Sequence, residues 1–282
     1  MTISIRSLAN ADLEIANTIL KLAFRSSVSR IHDLRFYCQI QPDGLFLAIQ
    51  NGNPVGMVGA IQYDAFAYVG FMAVHPDAQR QGIGLALMQF LLDRLRQQNI
   101  PLVLLDASEI GQPLYEKLGF IAYDETLTFQ RDNALPALDC PFRIQPISAP
   151  DLDELIAWDT TVFGTNRYKV LKGLFSVFPE RAYMLRDEVG QITGYLFAQK
   201  RRIGPWVMRE PRDAEALLKT ALALPFEDTV SVVVPAVNLE AIELFQRYGF
   251  KQLRANRHMG RGPGEPPGQR QKIYAQTSLS IG

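Results

Sequence analysis

The chain has no excess of charge: 29 basic residues balance 29 acidic ones over 282 positions. Nucleic-acid binders draw affinity from a basic surface that neutralises phosphates, so this balance argues against that class. It also removes the simplest case for a strongly acidic or basic partner. Cysteine is scarce. Cys38 and Cys140 lie far apart and form neither a CxxC pair nor a Cys/His cluster. This excludes a disulfide framework, offers no metal site, and fits two reduced thiols in a cytoplasmic protein. Long apolar runs are missing as well. No stretch approaches the roughly 18 residues that suggest a membrane span. The opening "MTISIRSLANADLEIAN" carries charges where a signal peptide needs an unbroken apolar core. These absences lead us to expect a soluble cytoplasmic protein with no metal, membrane or nucleic-acid partner.

What is present is apolar content, 48% of the chain, over a length comfortable for two domains. The proline-bearing segment "NALPALDCPF", Asn133 to Phe142, looks like a linker. Sequence on one side of it echoes the other. "SIRSLANADLEIANTIL" and "FRIQPISAPDLDELIAW" each read as a short alternating strand, a turn, an aspartate suited to a helix start, and an apolar-periodic helix. "LYEKLGF" (Leu114–Phe120) matches "LFQRYGF" (Leu244–Phe250), and each follows an apolar strand, "PLVLLDA" or "TVSVVVPA". The order implies an internal duplication, with domains at residues 1–134 and 143–282. Each half interleaves strands with helices, an α/β pattern with a mixed, mainly antiparallel sheet. "AYMLRDEVGQITGYLFAQKR" reads as a hairpin turning near Val189-Gly190-Gln191, and "KIYAQTSLSI" as a last strand.

The most informative stretch is "HPDAQRQGIGLALMQFLLDRLRQQN", His75 to Asn99. Gly82 and Gly84 follow an apolar strand ending at Val74 and open a helix with the stripe Leu85, Leu87, Met88, Leu91, Leu92 and Leu95. The first amides of a helix lack intrahelical partners and carry partial positive charge, which makes an anion site. Glycines there let a pyrophosphate come close. A GxG pair alone could equally serve close packing of helix on strand. The P-loop Lys-Ser/Thr is absent, and the residues after Gly84 do not complete GxGxxG.

A strand ending in "FMAV", then "HP", then Gln-x-x-Gly-x-Gly opening a helix, resembles the acyl-CoA signature of the GNAT family of N-acetyltransferases. "LDASEIGQPLYEKLGF" resembles that family's second signature. The resemblance covers roughly residues 3 to 132. It implies two tandem GNAT-like domains, each a mixed, mainly antiparallel twisted sheet flanked by helices, with acetyl-CoA as co-substrate. It places acetyl and pantetheine groups on the backbone of Met72, Ala73 and Val74. The pyrophosphate would lie on Gln79, Arg80, Gln81, Gly82, Ile83 and Gly84, and the pantetheine against Ser108, where the family often has asparagine. Tyr115 matches the tyrosine that protonates the departing thiolate, and a strand amide, that of Val74, would stabilise the oxyanion. No residue stands out as general base. Where related protein N-terminal acetyltransferases often carry glutamate this chain has Val103, and Asp64, His75, Asp106 and Glu109 are the nearby candidates.

The second half lacks both requirements. Arg212 stands where Gly82 would align, within "REPRDA", and Phe245 stands where Tyr115 does. "WDTTVFGTNRYKVLKGLF" and "PAVNLEAIELFQRYGF" resemble a degenerate GNAT-like domain that follows a catalytic one in some bacterial tandem acetyltransferases. Asp159 and Arg167 read either as a buried pair holding a helix junction or as substrate ligands. Trp158, Phe163, Tyr168 and Trp206 are pocket candidates or core. The expectation is acetyl transfer to a small-metabolite amine by direct attack, the second half shaping the acceptor site or a homodimer contact. A protein N-terminus or lysine as acceptor, and a non-catalytic acyl-CoA sensor, are the alternatives.

Overall fold

A computed structural model describes residues 3–132 and 144–282; the linker segment and Cys140 lie outside the described residues. Both halves begin alike. β1 (Ile3–Ser7) leads into a tight turn where Asp12 accepts from the Ala9 amide at 2.8 Å and pairs with Arg6. β7 (Ile144–Pro146) leads into a matching turn where Asp151 accepts from the Ser148 amide at 2.9 Å and pairs with Arg186. These carboxylates fix the entry into α1 (Leu13–Ala23) and α5 (Leu152–Phe163).

The first half continues as α2 (Ile31–Ile40), β2 (Leu45–Gln50), β3 (Asn53–Gln62), β4 (Ala67–Val74), α3 (Ile83–Gln97), β5 (Val103–Ala107), α4 (Gln112–Lys117) and β6 (Ile121–Asp132). The second repeats that order as α6 (Tyr168–Val177), β8 (Ala182–Arg186), β9 (Ile192–Ala198), β10 (Ile203–Met208), α7 (Ala214–Leu222), β11 (Thr229–Pro235), α8 (Leu239–Arg247) and β12 (Lys251–Arg261). A last short strand, β13 (Ile273–Ala275), has no counterpart in the first half. The hairpin turn falls where Asp187 and Gly190 set it, Gly190 at φ +84°. Only three residues of "KIYAQTSLSI" pair as a strand; from Gln276 the chain turns into the space between the halves, with Gln276 and Thr277 buried.

The sheets join the halves in a way their sequence order does not announce. One sheet runs β1-β2-β3-β4-β5-β12-β6-β11, the other β13-β10-β9-β8-β7. The long closing strands are exchanged. β12 of the second half lies antiparallel to β5 of the first, and β6 of the first lies antiparallel to β11 of the second. The side chains follow their strands. Met259 of β12 is buried among Val103, Leu105, Ala107 and Phe120, while Leu127 and Phe129 of β6 are buried among Trp206, Val232 and Phe245. A further cluster joins α1 and α2 to α5 and α6 across the chain's middle. At that junction Asp159 and Arg167 form a fully buried bidentate pair, both bonds 2.8 Å, with Tyr195 hydrogen-bonded to each. Gly164, at φ +91°, ends α5 between them. Of the two sequence readings, the geometry is that of the helix-junction pair.

Cut after residue 134, the first half would lose β12 from β5 and every strand partner of β6. Residues 1–134 alone should therefore show no cooperative thermal transition as a monomer. A monomer with one sharp transition would contradict the exchange.

Candidate acyl-donor and acceptor site

The site begins where two strands part. β4 and β5 run parallel but pair only at Ala67–Val103, Tyr68–Leu104 and Val69–Leu105. Just beyond, β4 bulges: between the pairs Gly70–Gly59 and Ala73–Met57 it carries one residue more than β3. Phe71 takes φ +51° there, a conformation uncommon for an aromatic residue and one that collects at functional sites. Past the bulge the His75 amide bonds to Val55 of β3. Alternation along an antiparallel strand then turns the amides of Met72 and Val74 away from β3, into the gap left by β5.

The glycine turn lies at the end of that gap. Gln79 spends its amide on the Pro76 carbonyl at 3.2 Å and its side chain on the Val74 carbonyl. The run of free amides therefore starts one residue later than the sequence reading placed it, at Arg80. Arg80, Gln81 and Gly82 have no partner for their amides among the described residues, and Ile83 and Gly84 are the first residues of α3. The two glycines serve different ends. Gly82 sits at φ +82° with nothing within 4 Å of where a Cβ would be, so conformation and open approach require it. A Cβ on Gly84 would meet Met72 and Leu114 at 3.2 and 3.4 Å, so that glycine lets helix and strand pack closely. Ile83 is buried in the α3 stripe, whereas Leu85 is exposed.

Tyr115, on α4, is buried against Phe120 on the same face of the sheet as α3. Its hydroxyl has no hydrogen-bond partner among the described residues, and burial pushes its pKa up to about 12. Ser108, exposed at the end of β5, accepts from the Gly111 amide at 3.2 Å. The Cβ position at Gly111 lies 3.1 Å from the Tyr115 ring and 3.3 Å from the Ser108 hydroxyl, so the two side chains share one corner.

The second half shows the same construction with the gap closed. Arg202 bridges to Ser231 as Ala67 pairs with Val103, and then β10 and β11 part. β13 enters between them, pairing with β10 at Trp206–Ala275 and Val207–Ile273, while the Gln276 amide bonds to Val233 of β11. Asn238, seven residues before Phe245 as Ser108 is before Tyr115, donates to the Ile273 carbonyl at 3.0 Å. Phe245 is fully buried against Trp206 and Phe250. Arg212 lies in the turn before α7, and Asp213 puts a carboxylate at that helix's start.

On the opposite face of the first-half sheet, where Leu104 and Tyr68 point toward α1 and α2, lies Asp106. Its carboxylate is completely buried, not the solvated surface group that its place at a strand end suggests. It accepts from the Tyr68 hydroxyl at 2.6 Å, from Thr126 at 2.7 Å and from His258 Nδ1 at 3.1 Å. Gln276 donates to Tyr68 at 3.2 Å, and Arg270 reaches Thr126 at 3.1 Å while holding Asp124 bidentately. Desolvation would raise the Asp106 pKa, but the hydrogen bonds from His258 and Tyr68 and the nearby Arg270 charge outweigh it and hold the carboxyl below its ordinary value. His258 arrives on the exchanged strand, opposite Asp106 in register. No local signal could have joined the two; their only link is strand pairing across 152 positions.

The other candidates lie elsewhere. His75 Nδ1 accepts from the Asp77 amide at 3.3 Å, capping a turn. Asp64 and Glu109 are exposed, Asp64 beside the β3–β4 turn at the far end of the strand pair from the bulge. The four aromatics of the second half form no common pocket. Trp206 meets Phe245 edge-on and Tyr274 at a tilt, Phe163 meets Tyr63 edge-on and Phe66 at a tilt, Trp158 meets Tyr195 edge-on, and Tyr168 is exposed beside Lys172. Among the described residues no group of three His, Cys, Asp or Glu could hold a metal ion, and no helix is long and apolar enough to cross a membrane.

Because folding lowers the Asp106 pKa, its contribution to stability is complete above about pH 5 and is lost as pH falls through the lowered value. Asp106→Asn should cost on the order of 3 kcal/mol near neutrality. The gap between wild type and variant should narrow from pH 5 to pH 2.5 in urea unfolding. A gap that widens on acidification would contradict the ionised, multiply bonded carboxylate.

Comparison with known proteins agrees with this construction. An acetyltransferase (GNAT) family model matches residues 13–120, and an acetyltransferase (GNAT) domain model matches residues 155–275. Holothin acyltransferase from Pseudoalteromonas sp. (strain SANK 73390) is 30% identical over 256 residues, covering 89% of this chain and 85% of that protein. Mycothiol acetyltransferase from Thermomonospora curvata is 36% identical over 93 residues, about a third of each chain. Among solved structures, a candidate acetyltransferase from Pyrococcus horikoshii superposes with a TM-score of 0.85 at 26% identity, covering 99% of this chain and 96% of that one. A GCN5-related N-acetyltransferase from Sphaerobacter thermophilus shares the fold at a TM-score of 0.72 and 16% identity, covering 93% and 97%. The parted strands, the amide-rich turn and the two matched halves belong to one scheme: the chain is a tandem-domain member of the GNAT acyltransferase family.

Proposed function

We propose that the first half transfers an acetyl group from acetyl-CoA to a primary amine of a small metabolite, by direct attack of the amine on the thioester. The observation that carries this reading is the contrast between the two gaps. In the second half the space between β10 and β11 holds an extended peptide strand, tied to β10 and to Asn238 through its own amide groups. The equivalent space between β4 and β5 offers the Met72 and Val74 amides and the Ser108 hydroxyl to a chain of the same character. Pantetheine, extended and bearing two amides, is such a chain. Ala73, between those two residues, turns toward β3 and holds the strand in place.

The remaining groups suit the rest of the donor. The free amides from Arg80 to Gly84, at the start of a 15-residue helix, favour a pyrophosphate. Negative charge that develops on the carbonyl oxygen meets the Val74 N–H. Tyr115, kept protonated to about pH 12, can give its proton to the departing sulfur. A covalent route through cysteine has less support. Cys38 lies on α2 beside the helical cluster, and partial burial raises its pKa, which disfavours the thiolate. The acceptor reaches the thioester from the α1–α2 face, which the second half covers with its C-terminal segment: Ser280 packs directly on Gly70 at the bulge. That cover favours a small acceptor over a folded protein surface. The names of two relatives, holothin acyltransferase and mycothiol acetyltransferase, also point to small molecules.

Thiol release from acetyl-CoA, measured against a panel of amines, tests the reading. Tyr115→Phe should lower kcat on the order of 10²-fold or more while acetyl-CoA affinity stays within about threefold. Unchanged turnover would remove Tyr115 from the reaction, and binding without turnover on any amine would favour a sensor. Gly82→Val, forced to a φ that L residues reach at about 1–2 kcal/mol, should weaken acetyl-CoA binding much more than it lowers Tm. Undiminished binding would place the pyrophosphate elsewhere.

A further inference from the structure

The proposed transfer needs a group to take a proton from the acceptor nitrogen, and the sequence singles out none of its first-half candidates. The cluster around Asp106 supplies the missing chemistry from the other half. β12 pairs with β5 so that His258 stands directly opposite Asp106. Both lie one residue past the last β4–β5 pair, where the strands begin to part. They face the side of the sheet away from Tyr115, whose neighbours are Leu105, Ala107 and Met259 on the alternate positions of the same strands. An acid and a base on opposite faces of one parted strand pair is the arrangement that attack from one side and departure toward the other requires.

The protons of the cluster are determined by its partners. An ionised carboxylate only accepts, so the contact between Asp106 and His258 Nδ1 at 3.1 Å places a hydrogen on Nδ1. Neutral His258 then carries its lone pair on Nε2, which has no protein partner among the described residues. Tyr68 and Thr126 donate to the same carboxylate and keep it ionised, and the Tyr68 ring stacks beside the imidazole with centroids 6.2 Å apart. His258 is buried, so its ring has little freedom to turn. An aspartate that sets tautomer and orientation leaves the far nitrogen poised to accept a proton.

We propose that His258 is the general base of the acyl transfer, with Asp106 as its positioning residue and the exchanged strand β12 as the means by which the second half completes the site. This rests on the donor reading given above. As the amine nitrogen forms its bond to the acetyl carbon, one N–H proton passes to His258 Nε2. The C–S bond then breaks with its electron pair going to sulfur, which takes the Tyr115 proton. The proton on His258 leaves through solvent, from which the phenol is restored, so the cycle balances as amine plus thioester to amide plus thiol. The ionisable groups facing the imidazole are Asp106 on β5, Tyr68 on β4, and Asp124 on β6 with its partner Arg270. The arginine holds Asp124, and the Asp106 carboxylate is the group hydrogen-bonded to the imidazole.

The test measures kcat against pH for the wild type and for His258→Gln and Asp106→Asn, using the amine turned over fastest, with acetyl-CoA affinity measured alongside. The wild type should show an acid limb, a fall in kcat on acidification through one ionisation. His258→Gln should bind acetyl-CoA within about twofold of wild type, lose on the order of 10²-fold in kcat and lose that limb. Its deficit should shrink for amines of low pKa, which need less help to lose a proton. Asp106→Asn, which keeps the imidazole but not its carboxylate, should move the limb to lower pH. If His258→Gln does not fold, an unmoved limb in Asp106→Asn overturns the proposal by itself. A folded His258→Gln enzyme within threefold of wild type and with the limb intact also overturns it. Either result leaves the donor reading standing if Tyr115→Phe is still impaired. A wild type that binds no acetyl-CoA would instead refute the donor reading.

Discussion

Buried backbone amides must find partners, and a parallel strand pair that stops after three residue pairs leaves several without any. That constraint governs this protein twice. In the second half it is met internally, by a short strand that enters the gap and pairs with β10, and by Gln276 just past it, whose amide bonds to β11. In the first half no such strand is found among the described residues, and the bulge at Phe71 turns amides toward the space instead. A half that fills its own gap has no room for an extended ligand; a half that leaves it open has that room. Arg212 and Phe245 stand in this plugged half where the αL glycine and the tyrosine of the open half align.

The exchange of β6 and β12 makes the two halves one cooperative object. Each hydrophobic cluster is completed by a strand from the other half, and the helices of both halves share a third cluster. Among the polar contacts that cross between halves, those of Asp106 with His258 and of Tyr68 with Gln276 are buried. In such surroundings an unmatched group costs far more than at the surface. Register between the halves is therefore tightly held.

Much of this was legible in the residues. The duplicated strand, aspartate and helix signals gave both entry turns, and the alternation of apolar residues gave nearly every strand. The Gly82 turn and Tyr115 lie where their spacing implies. What escaped was partner choice. "FIAYDETLTFQ" and "KQLRANRHMG" both look like closing strands, and nothing local distinguishes pairing with the nearer neighbour from pairing with the farther one. The burial of Asp106 is hidden for the same reason: it is produced by Thr126, His258 and Arg270, all on elements that the exchange brings together. The separate roles of Gly82 and Gly84 needed coordinates, because one is required by a backbone angle and the other by its neighbours' side chains.

The most direct test of one open gap beside one filled gap is binding stoichiometry. Isothermal titration of the full chain with acetyl-CoA should give one site per chain. Two sites would mean that β13 leaves its place in the second half, and none would mean that the first-half gap is not a ligand site.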